Sequence, residues 1–264
     1  MMDLGLKGKV ALVCAASQGL GFAVADELAA EGCSLVICSR RAVSIEQAAA
    51  SIRSRHEAEI LGVAGDVSVS ADIERIVTAA LEKFGRVDIL VTNSGGPPAG
   101  NFDGLSEASW DEATQILLSS VVRFTRLVLP GMKERKWGRI LNITSIASKQ
   151  PVDNLMLSNS LRAAVTGFAK TLANEVAADG VTVNNILPGY TRTERLEELI
   201  EFIANKENIS PDQVKDRWHS EIPMRRLGEP REFAALAAFL VSERASYMTG
   251  NSIAVDGGWT KSLF

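Results

Sequence analysis

The sequence predicts an α/β fold in which one parallel sheet lies between two layers of helices. Short apolar runs rich in Val, Ile and Leu alternate with longer segments of helical periodicity along the chain. Continuous apolar runs are typical of parallel strands, which are buried on both faces. Residues 9–41 also form a strand, tight turn, helix and second strand, which is the pattern of a βαβ unit. These two observations favour the three-layer α/β architecture.

The composition fits a single globular domain over residues 1–264. The chain is 46% hydrophobic and 23% charged, so it can bury a sizeable core. Its net charge of −4 argues against a general nucleic-acid or membrane-surface binder. No apolar run approaches the length that spans a membrane.

The termini and cysteines favour a cytoplasmic protein without a metal. Residues 1–5 lack the basic and apolar pattern of a signal peptide. Cys14, Cys33 and Cys38 lie in or beside apolar runs and form no Cys-x-x-Cys pair, so we expect buried free thiols. No His/Cys cluster has the spacing of a zinc site.

The elements follow one another to the end of the chain. Strands are predicted at residues 10–14, 35–38, 60–64, 87–92, 139–143, 181–187 and 252–255. Helices are predicted after residue 21 and at 44–55, 71–84, 107–136, 155–178, in pieces of 195–218, and at 230–241. Gly85 and Gly180 end two of the helices, and Pro130-Gly131 should bend or interrupt the long one.

The turn after the first strand is a candidate phosphate-binding site. Small residues let the backbone approach a pyrophosphate, and the start of the next helix favours its negative charge. The alternative is a plain tight turn between a strand and a helix. The candidate cofactor-binding residues are Ala16, Ser17, Gln18, Gly19, Leu20 and Gly21.

Several motifs together make the chain resemble the short-chain dehydrogenase/reductase family. They are Gly19-x-Gly21, Thr92-Asn93-Ser94-Gly95, the strand ending in Thr144-Ser145, Val183-Asn184-x-x-x-Pro188-Gly189, and Val255-Asp256-Gly257-Gly258. Each motif alone is modest, but their order and spacing are specific. The likeness is greatest to 3-oxoacyl-carrier-protein reductases. The resemblance implies a Rossmann-like, doubly wound sheet of about seven strands.

The resemblance also implies how a dinucleotide is held. Asp66 and Val67 would contact the adenine, and Asn93 and Gly95 would close over the adenosine half. Pro188, Gly189 and Thr193 would line the nicotinamide. Residues 190–228 would form a lid over the substrate.

Three of the four residues that carry the chemistry of this family are changed. The family uses Asn, Ser, Tyr and Lys; the matching positions here hold Leu117, Ser145, Ser158 and Arg162. A serine hydroxyl is a far weaker acid than a phenol, so Ser158 is a poor proton donor. Arg162 can still hold the ribose and keep the positive charge. The turn departs as well, because Ala15 replaces the leading glycine; a left-handed Ala15 costs about 1–2 kcal/mol.

Tyr190 is the first candidate for an alternative proton donor, because it follows the nicotinamide-lining Pro188-Gly189. The alternative is that its ring forms a wall of the substrate pocket. His219 in the lid and Lys149 near Ser145 are weaker candidates, and for Lys149 a solvated loop position is favoured over a catalytic one.

The cofactor should be NADP(H), with NAD(H) as the alternative. NAD enzymes of this fold place an acid after the second strand, whereas this chain has Arg40 and Arg41, which can pair with a 2′-phosphate. The alternative is that both arginines are solvated.

Two functions remain open. We expect an oxidoreductase that acts on a small carbonyl or alcohol through a rearranged proton relay. The other hypothesis is a dinucleotide-binding sensor or interaction protein. The family resemblance implies a homo-oligomer, a tetramer or dimer.

Overall fold

Seven parallel strands form one sheet in the computed structural model, which describes residues 3–263. Their spatial order is β3-β2-β1-β4-β5-β6-β7. The strands are β1 (Val10–Val13), β2 (Ser34–Ser39), β3 (Ile60–Ala64), β4 (Ile89–Thr92), β5 (Gly138–Ile143), β6 (Val181–Pro188) and β7 (Ser252–Val255). The predicted doubly wound sheet is confirmed. Met1, Met2 and Phe264, at the ends of the predicted domain, lie outside the described residues.

Helices cover both faces of the sheet. They are α1 (Gly19–Ala30), α2 (Ala42–Arg55), α3 (Ser70–Phe84), α4 (Glu107–Thr114), α5 (Ser120–Glu134), α6 (Met156–Val176), α7 (Glu194–Glu207), α8 (Pro211–Glu221) and α9 (Pro230–Leu240). Apolar side chains of α1, α2 and α9 form the core on one face, and those of α3, α5 and α6 form the core on the other. The cysteines are free and buried in these cores, as predicted.

The strand order reverses between β1 and β4, and this places the functional crevice. In open α/β sheets, ligands bind beyond the carboxyl ends of the strands at such a reversal. The turn after β1 and the loop after β4 are joined there, because the Asn93 side chain donates to the Ala15 carbonyl at 3.4 Å.

The predicted long helix at 107–136 is broken at a different place. Residues Gln115–Ser119 form a π-helical turn between α4 and α5, whereas α5 continues through Pro130 to Glu134. The predicted interruption at Pro130 is therefore wrong, and the alternative of a bend there stays a prediction. Pro130 removes one backbone donor inside the helix, and the packing of the apolar face of α5 against the sheet outweighs that local cost. Single π turns inside helices occur frequently at functional sites.

The segment after β6 builds a small unit of its own. Helices α7 and α8 share an apolar cluster that includes Ile200, Val214 and Trp218. Within residues 3–263, no helix combines the length and apolar character needed to cross a bilayer. Over the same residues, no three His, Cys, Asp or Glu side chains are grouped as metal ligands.

Candidate active site

The turn between β1 and α1 presents free backbone donors at the crevice. Helix α1 starts at Gly19, and its N-cap residue Gln18 makes no side-chain capping bond. The first N–H groups of a helix have no partner inside the helix, so they remain available to an anion. Gly19 has φ +60° and Ala15 has φ +49°, so Ala15 carries the left-handed strain expected from the sequence.

Two other segments of the chain lie against this turn. A methyl group at Gly21 would overlap the Ala15 carbonyl oxygen and lie 2.8 Å from the Asn93 amide nitrogen. A methyl group at Gly19 would lie 3.6 Å from the Thr193 methyl carbon. Thr193 begins α7, where its hydroxyl accepts from the Leu196 N–H at 3.3 Å. The turn, the loop after β4 and the start of α7 therefore enclose a narrow space with free N–H donors, and this fits a pyrophosphate.

The ends of β2 and β3 supply charged and polar groups beside the turn. Arg40 and Arg41 are exposed, and neither guanidinium has a hydrogen bond or ion pair with a described residue. Asp66 Oδ1 accepts from the Ser68 N–H and hydroxyl at 2.8 and 2.7 Å, which fixes the carboxylate at the end of β3. Val67 beside it is buried. The two unpaired arginines suit a phosphate group, and the apolar side chain of Val67 suits a nucleotide base.

Ser145 follows β5 at the centre of the crevice. Its oxygen accepts from the Ala147 N–H at 3.1 Å and so caps the short turn Ile146–Ser148. This bond uses a lone pair and leaves the hydroxyl proton free to donate. The side chain is half-buried and can therefore reach a ligand.

The Arg162 side chain lies against the carboxyl end of β5. Its Nη1 donates to the carbonyls of Ile143 and Thr144 at 3.1 and 2.7 Å. Burial, and then the positive charge of Arg195, lower the pKa of Arg162 to about 10. The guanidinium thus stays protonated near neutral pH, and its Nε and Nη2 donors make no hydrogen bond to any residue from 3 to 263.

Ser158 and Leu117 are both buried, the first on α6 and the second in the π turn. Ser158 is 7% exposed in the first turn of α6, and its hydroxyl forms no hydrogen bond within the described chain. Leu117 is buried in the π turn. It shares the wall of a cavity of about 10 Å³ with Arg162 and Asn142. A space of this size holds at most one water.

A chain of buried hydrogen-bonded side chains lies beside this cavity, and the sequence did not reveal it. Thr92 Oγ1 donates to Asn142 Oδ1 at 2.8 Å, and Asn142 Nδ2 donates to Asn185 Oδ1 at 3.0 Å. These two hydrogen bonds join β4, β5 and β6 near the carboxyl ends of the strands. Only the register of the parallel strands could have predicted it.

Tyr190 lies within the apolar cluster of α7 and α8. Its ring stacks on Trp218 with centroids 4.5 Å apart and meets Trp259 edge-on at 6.0 Å. Burial, and then the charge of Glu221, raise the pKa of the Tyr190 phenol above its usual value. A raised pKa makes the hydroxyl a weaker acid, so the packing favours the pocket-wall interpretation.

Comparison with known proteins identifies the family. The family described as enoyl-(acyl carrier protein) reductase matches residues 14–260. The chain is also 35% identical over 260 residues to the NADPH-dependent reductase BacG of Bacillus subtilis, covering 97% of this chain and 99% of that protein. The chain belongs to the short-chain dehydrogenase/reductase family. The family resemblance drawn from the motifs is therefore confirmed.

Relatives in this family include ketoreductases. The chain is 35% identical over 252 residues to a putative ketoacyl reductase of a monensin polyketide synthase from Streptomyces virginiae, covering 95% of this chain and 96% of that protein. It superposes on L-sorbose reductase from Gluconobacter frateurii, solved with NADPH and L-sorbose, with a TM-score of 0.95 and 33% identity. That match covers 99% of this chain and all of the other. The short-chain dehydrogenase/reductase described here is accordingly an oxidoreductase.

Proposed function

We propose that this oxidoreductase uses NADP(H) to reduce a small carbonyl compound or to oxidise the corresponding alcohol. The observation that carries the proposal is the uncapped start of α1 beside the two unpaired arginines at the end of β2. The uncapped start of α1 suits a pyrophosphate, and the two arginines suit a 2′-phosphate. The NADPH-dependent relatives support the same choice, with NAD(H) the weaker alternative.

The cofactor residues keep the roles that the family implies. Ala16, Ser17, Gln18, Gly19, Leu20 and Gly21 surround the pyrophosphate. Arg40 and Arg41 bind the 2′-phosphate, Asp66 and Val67 the adenine, and Asn93 and Gly95 the adenosine. Arg162, Pro188, Gly189 and Thr193 hold the nicotinamide half. The bound nicotinamide supplies or accepts the hydride.

The proposed chemistry at the carbonyl rests on two serines and one arginine. Ser145 donates its free hydroxyl proton to the substrate oxygen as a hydrogen bond. Arg162 supplies positive charge beside it, and its fixed contacts with two carbonyls keep the side chain in place. Ser158 stands where the family has tyrosine, and its hydroxyl passes a proton from water to the oxygen. A serine is a weak acid, so we expect this relay to be slow.

Tyr190 remains the second candidate for the proton donor. Its stacking on Trp218 and its raised pKa argue for a packing role, whereas its position after Pro188-Gly189 supports contact with the substrate. The variant Tyr190→Phe, which keeps the ring and removes the hydroxyl, distinguishes the two roles.

The remaining expectations concern the organisation of the protein. We propose one domain over residues 1–264, with residues 190–228 as a substrate lid. We also propose a cytoplasmic homo-oligomer, a tetramer or dimer. Light scattering after gel filtration measures the oligomer size directly, and a monomer would contradict the proposal.

A panel assay separates catalysis from mere binding. Purified protein is mixed with NADPH and a series of ketones and aldehydes that includes polyhydroxy ketones, and loss of NADPH absorbance is followed. We expect slow, substrate-dependent oxidation of NADPH that exceeds the rate with NADH. Tight NADPH binding without oxidation by any carbonyl would support the sensor hypothesis, which the reductase relatives do not favour.

A further inference from the structure

Arg195, on the first turn of α7, reaches across the crevice to the loop after β4. A methyl group at Gly96 would overlap its guanidinium, and one at Gly95 would lie 4.0 Å from Nη1. The guanidinium therefore lies against the bare backbone of this loop, in space that only glycine leaves. Neither the family motifs nor the sequence pattern indicated this contact.

Arg195 has no acidic partner, whereas three other arginines of its segment have one. Arg192 pairs with Glu229 at 3.4 Å, Arg217 with Glu207 at 2.6 Å and Arg226 with Glu232 at 2.7 Å. In the part of the chain that the structure describes, Arg195 forms neither an ion pair nor a hydrogen bond. Arg225 and Lys206 of this segment also lack an ion pair among the described residues, but it is Arg195 that lies against the loop after β4.

The positive charge of Arg195 acts on a second cation, Arg162, whose pKa it helps to lower. Ser94, directly before Gly95, lines the same small cavity as Arg162. Arg195 thus lies against Gly96, and Arg162 shares a cavity wall with Ser94, two residues earlier in the same loop. Arg162 uses only Nη1 in its contacts with β5, so both arginines keep free N–H donors. Two interacting cations without a carboxylate partner repel each other, and a bound anion offsets that repulsion.

The position of Arg195 favours the substrate over the cofactor as the source of this anion. The phosphates of NADP(H) already have candidate partners at the start of α1 and at Arg40 and Arg41. The loop under Arg195 runs on to Gly100, which pairs with Leu155, the residue before α6. Arg195 thus covers the part of the loop that leads to the helix carrying Ser158.

We infer that Arg195, with Arg162 behind it, binds an anionic group of the substrate, so that the substrate is a carbonyl compound bearing a carboxylate or phosphate. This inference rests on the proposed function and specifies its substrate class. The planar guanidinium of Arg195 can form two parallel hydrogen bonds with such a group. Because Arg195 lies on the lid, binding of the anion also holds the lid against the loop after β4.

Matched pairs of charged and neutral probes test the inference by binding alone. The pairs are levulinate with methyl levulinate, and dihydroxyacetone phosphate with dihydroxyacetone. Each is titrated calorimetrically into the full-length protein, with and without saturating NADP⁺, so that no turnover is needed. We expect each anion to bind about 10- to 100-fold more tightly than its neutral partner. Arg195→Ala should abolish this preference, and Arg195→Lys should restore part of it.

A control variant and the NADPH affinity complete the test. Arg126→Ala removes another exposed arginine that has no partner among residues 3–263, on α5, and should leave the preference unchanged. NADPH affinity should be the same in all variants. Equal binding of anion and neutral probe to the wild type, or a preference that survives Arg195→Ala, overturns the inference. So does a loss of NADPH affinity in Arg195→Ala, because Arg195 then holds a cofactor phosphate. An anion preference without any oxidation of NADPH would contradict the proposed function but not this site.

Discussion

The two halves of the crevice depend on different features of the sequence. The cofactor half, at the ends of β1, β2 and β4, consists of backbone N–H groups, close-packed glycines and two free arginines. The chemical half, at the end of β5 and the start of α6, depends on individual hydroxyl and guanidinium groups. Apart from Ala15, the first half keeps the features that the family implies. The second half is where we propose that Leu117, Ser158 and Arg162 replace the family's Asn, Tyr and Lys.

The difference shows which property of a site tolerates substitution. Backbone donors survive a change of side chain as long as the turn keeps its conformation, and Ala15 accepts φ +49° to preserve it. A proton donor has no such tolerance, because its acidity belongs to the side chain. We therefore expect nearly normal cofactor binding and weakened chemistry, and the following predictions test this contrast.

The largest expected effect is at Ser145. Ser145→Ala removes the hydroxyl proposed to donate to the substrate oxygen, and turnover should fall by about 10²–10³. NADPH affinity, measured by fluorescence titration, should stay the same because the contact belongs to the chemical half. Unaltered turnover would mean that Ser145 serves only as the cap of the turn after β5.

Arg40 should affect binding without affecting the chemical step. Arg40→Ala removes the proposed charge-assisted contact with the 2′-phosphate, so NADPH binding should weaken by about 1.5–3 kcal/mol. NADH lacks that phosphate and is the built-in control, and its affinity should hardly change. Equal losses of affinity for NADPH and NADH would show that Arg40 makes no contact with the 2′-phosphate.

Relief of the strain in the turn should have a smaller effect. Ala15→Gly removes the left-handed strain but adds freedom to the unfolded chain, so the free energy of unfolding should rise by at most about 1 kcal/mol. Ala16→Gly is the control, since Ala16 is buried and has no positive φ. That variant should lose roughly 0.5–1 kcal/mol in denaturant unfolding. A destabilised Ala15→Gly variant would show that the turn is not strained.

Tyr190 should have the smallest effect on chemistry. Tyr190→Phe keeps the stacking on Trp218 and removes a hydroxyl whose pKa is raised, so turnover should change little. A proton donor contributes about 10²–10⁴ in rate, so a loss of that size would identify Tyr190 as the donor. Steady-state kinetics at saturating NADPH distinguishes the outcomes.

The sequence predicted the fold well because its signals are local. Apolar runs fix the strands, and β3 and β7 have the predicted bounds. The break at the π turn was missed because Pro130 is the stronger breaker in sequence, although the structure continues through it. Tertiary packing of α5 outweighs the local cost of its proline, and periodicity does not distinguish a π turn from an α-helix.

The candidate site was predictable only where motifs mark it. Ser145 and Asn93 follow strand ends with a recognisable pattern, and Thr193, the N-cap of α7, follows the Pro188-Gly189 motif. The contact of Arg195 with Gly96 joins two segments far apart in sequence. The stacking of Tyr190 on Trp218 likewise depends on tertiary packing that no local pattern encodes.

Restoring the residues of the family tests the contrast between the halves most directly. The variant Ser158→Tyr with Arg162→Lys regains a phenol whose pKa a neighbouring cation lowers. Adding Leu117→Asn puts an amide on the wall of the cavity that Arg162 also lines. Overpacking at Ser158 costs about 1–3 kcal/mol of stability, so folding is checked by thermal unfolding.

The decisive measurement is kcat/KM of wild type and double variant on small generic ketones at saturating NADPH. The wild type should be slow or inactive, and the double variant should fold, bind NADPH and gain activity, with a further gain from Leu117→Asn. A wild type that reduces such ketones quickly, together with a slower double variant, would contradict the account. Another donor, with Tyr190 first in line, would then complete an intact chemical half.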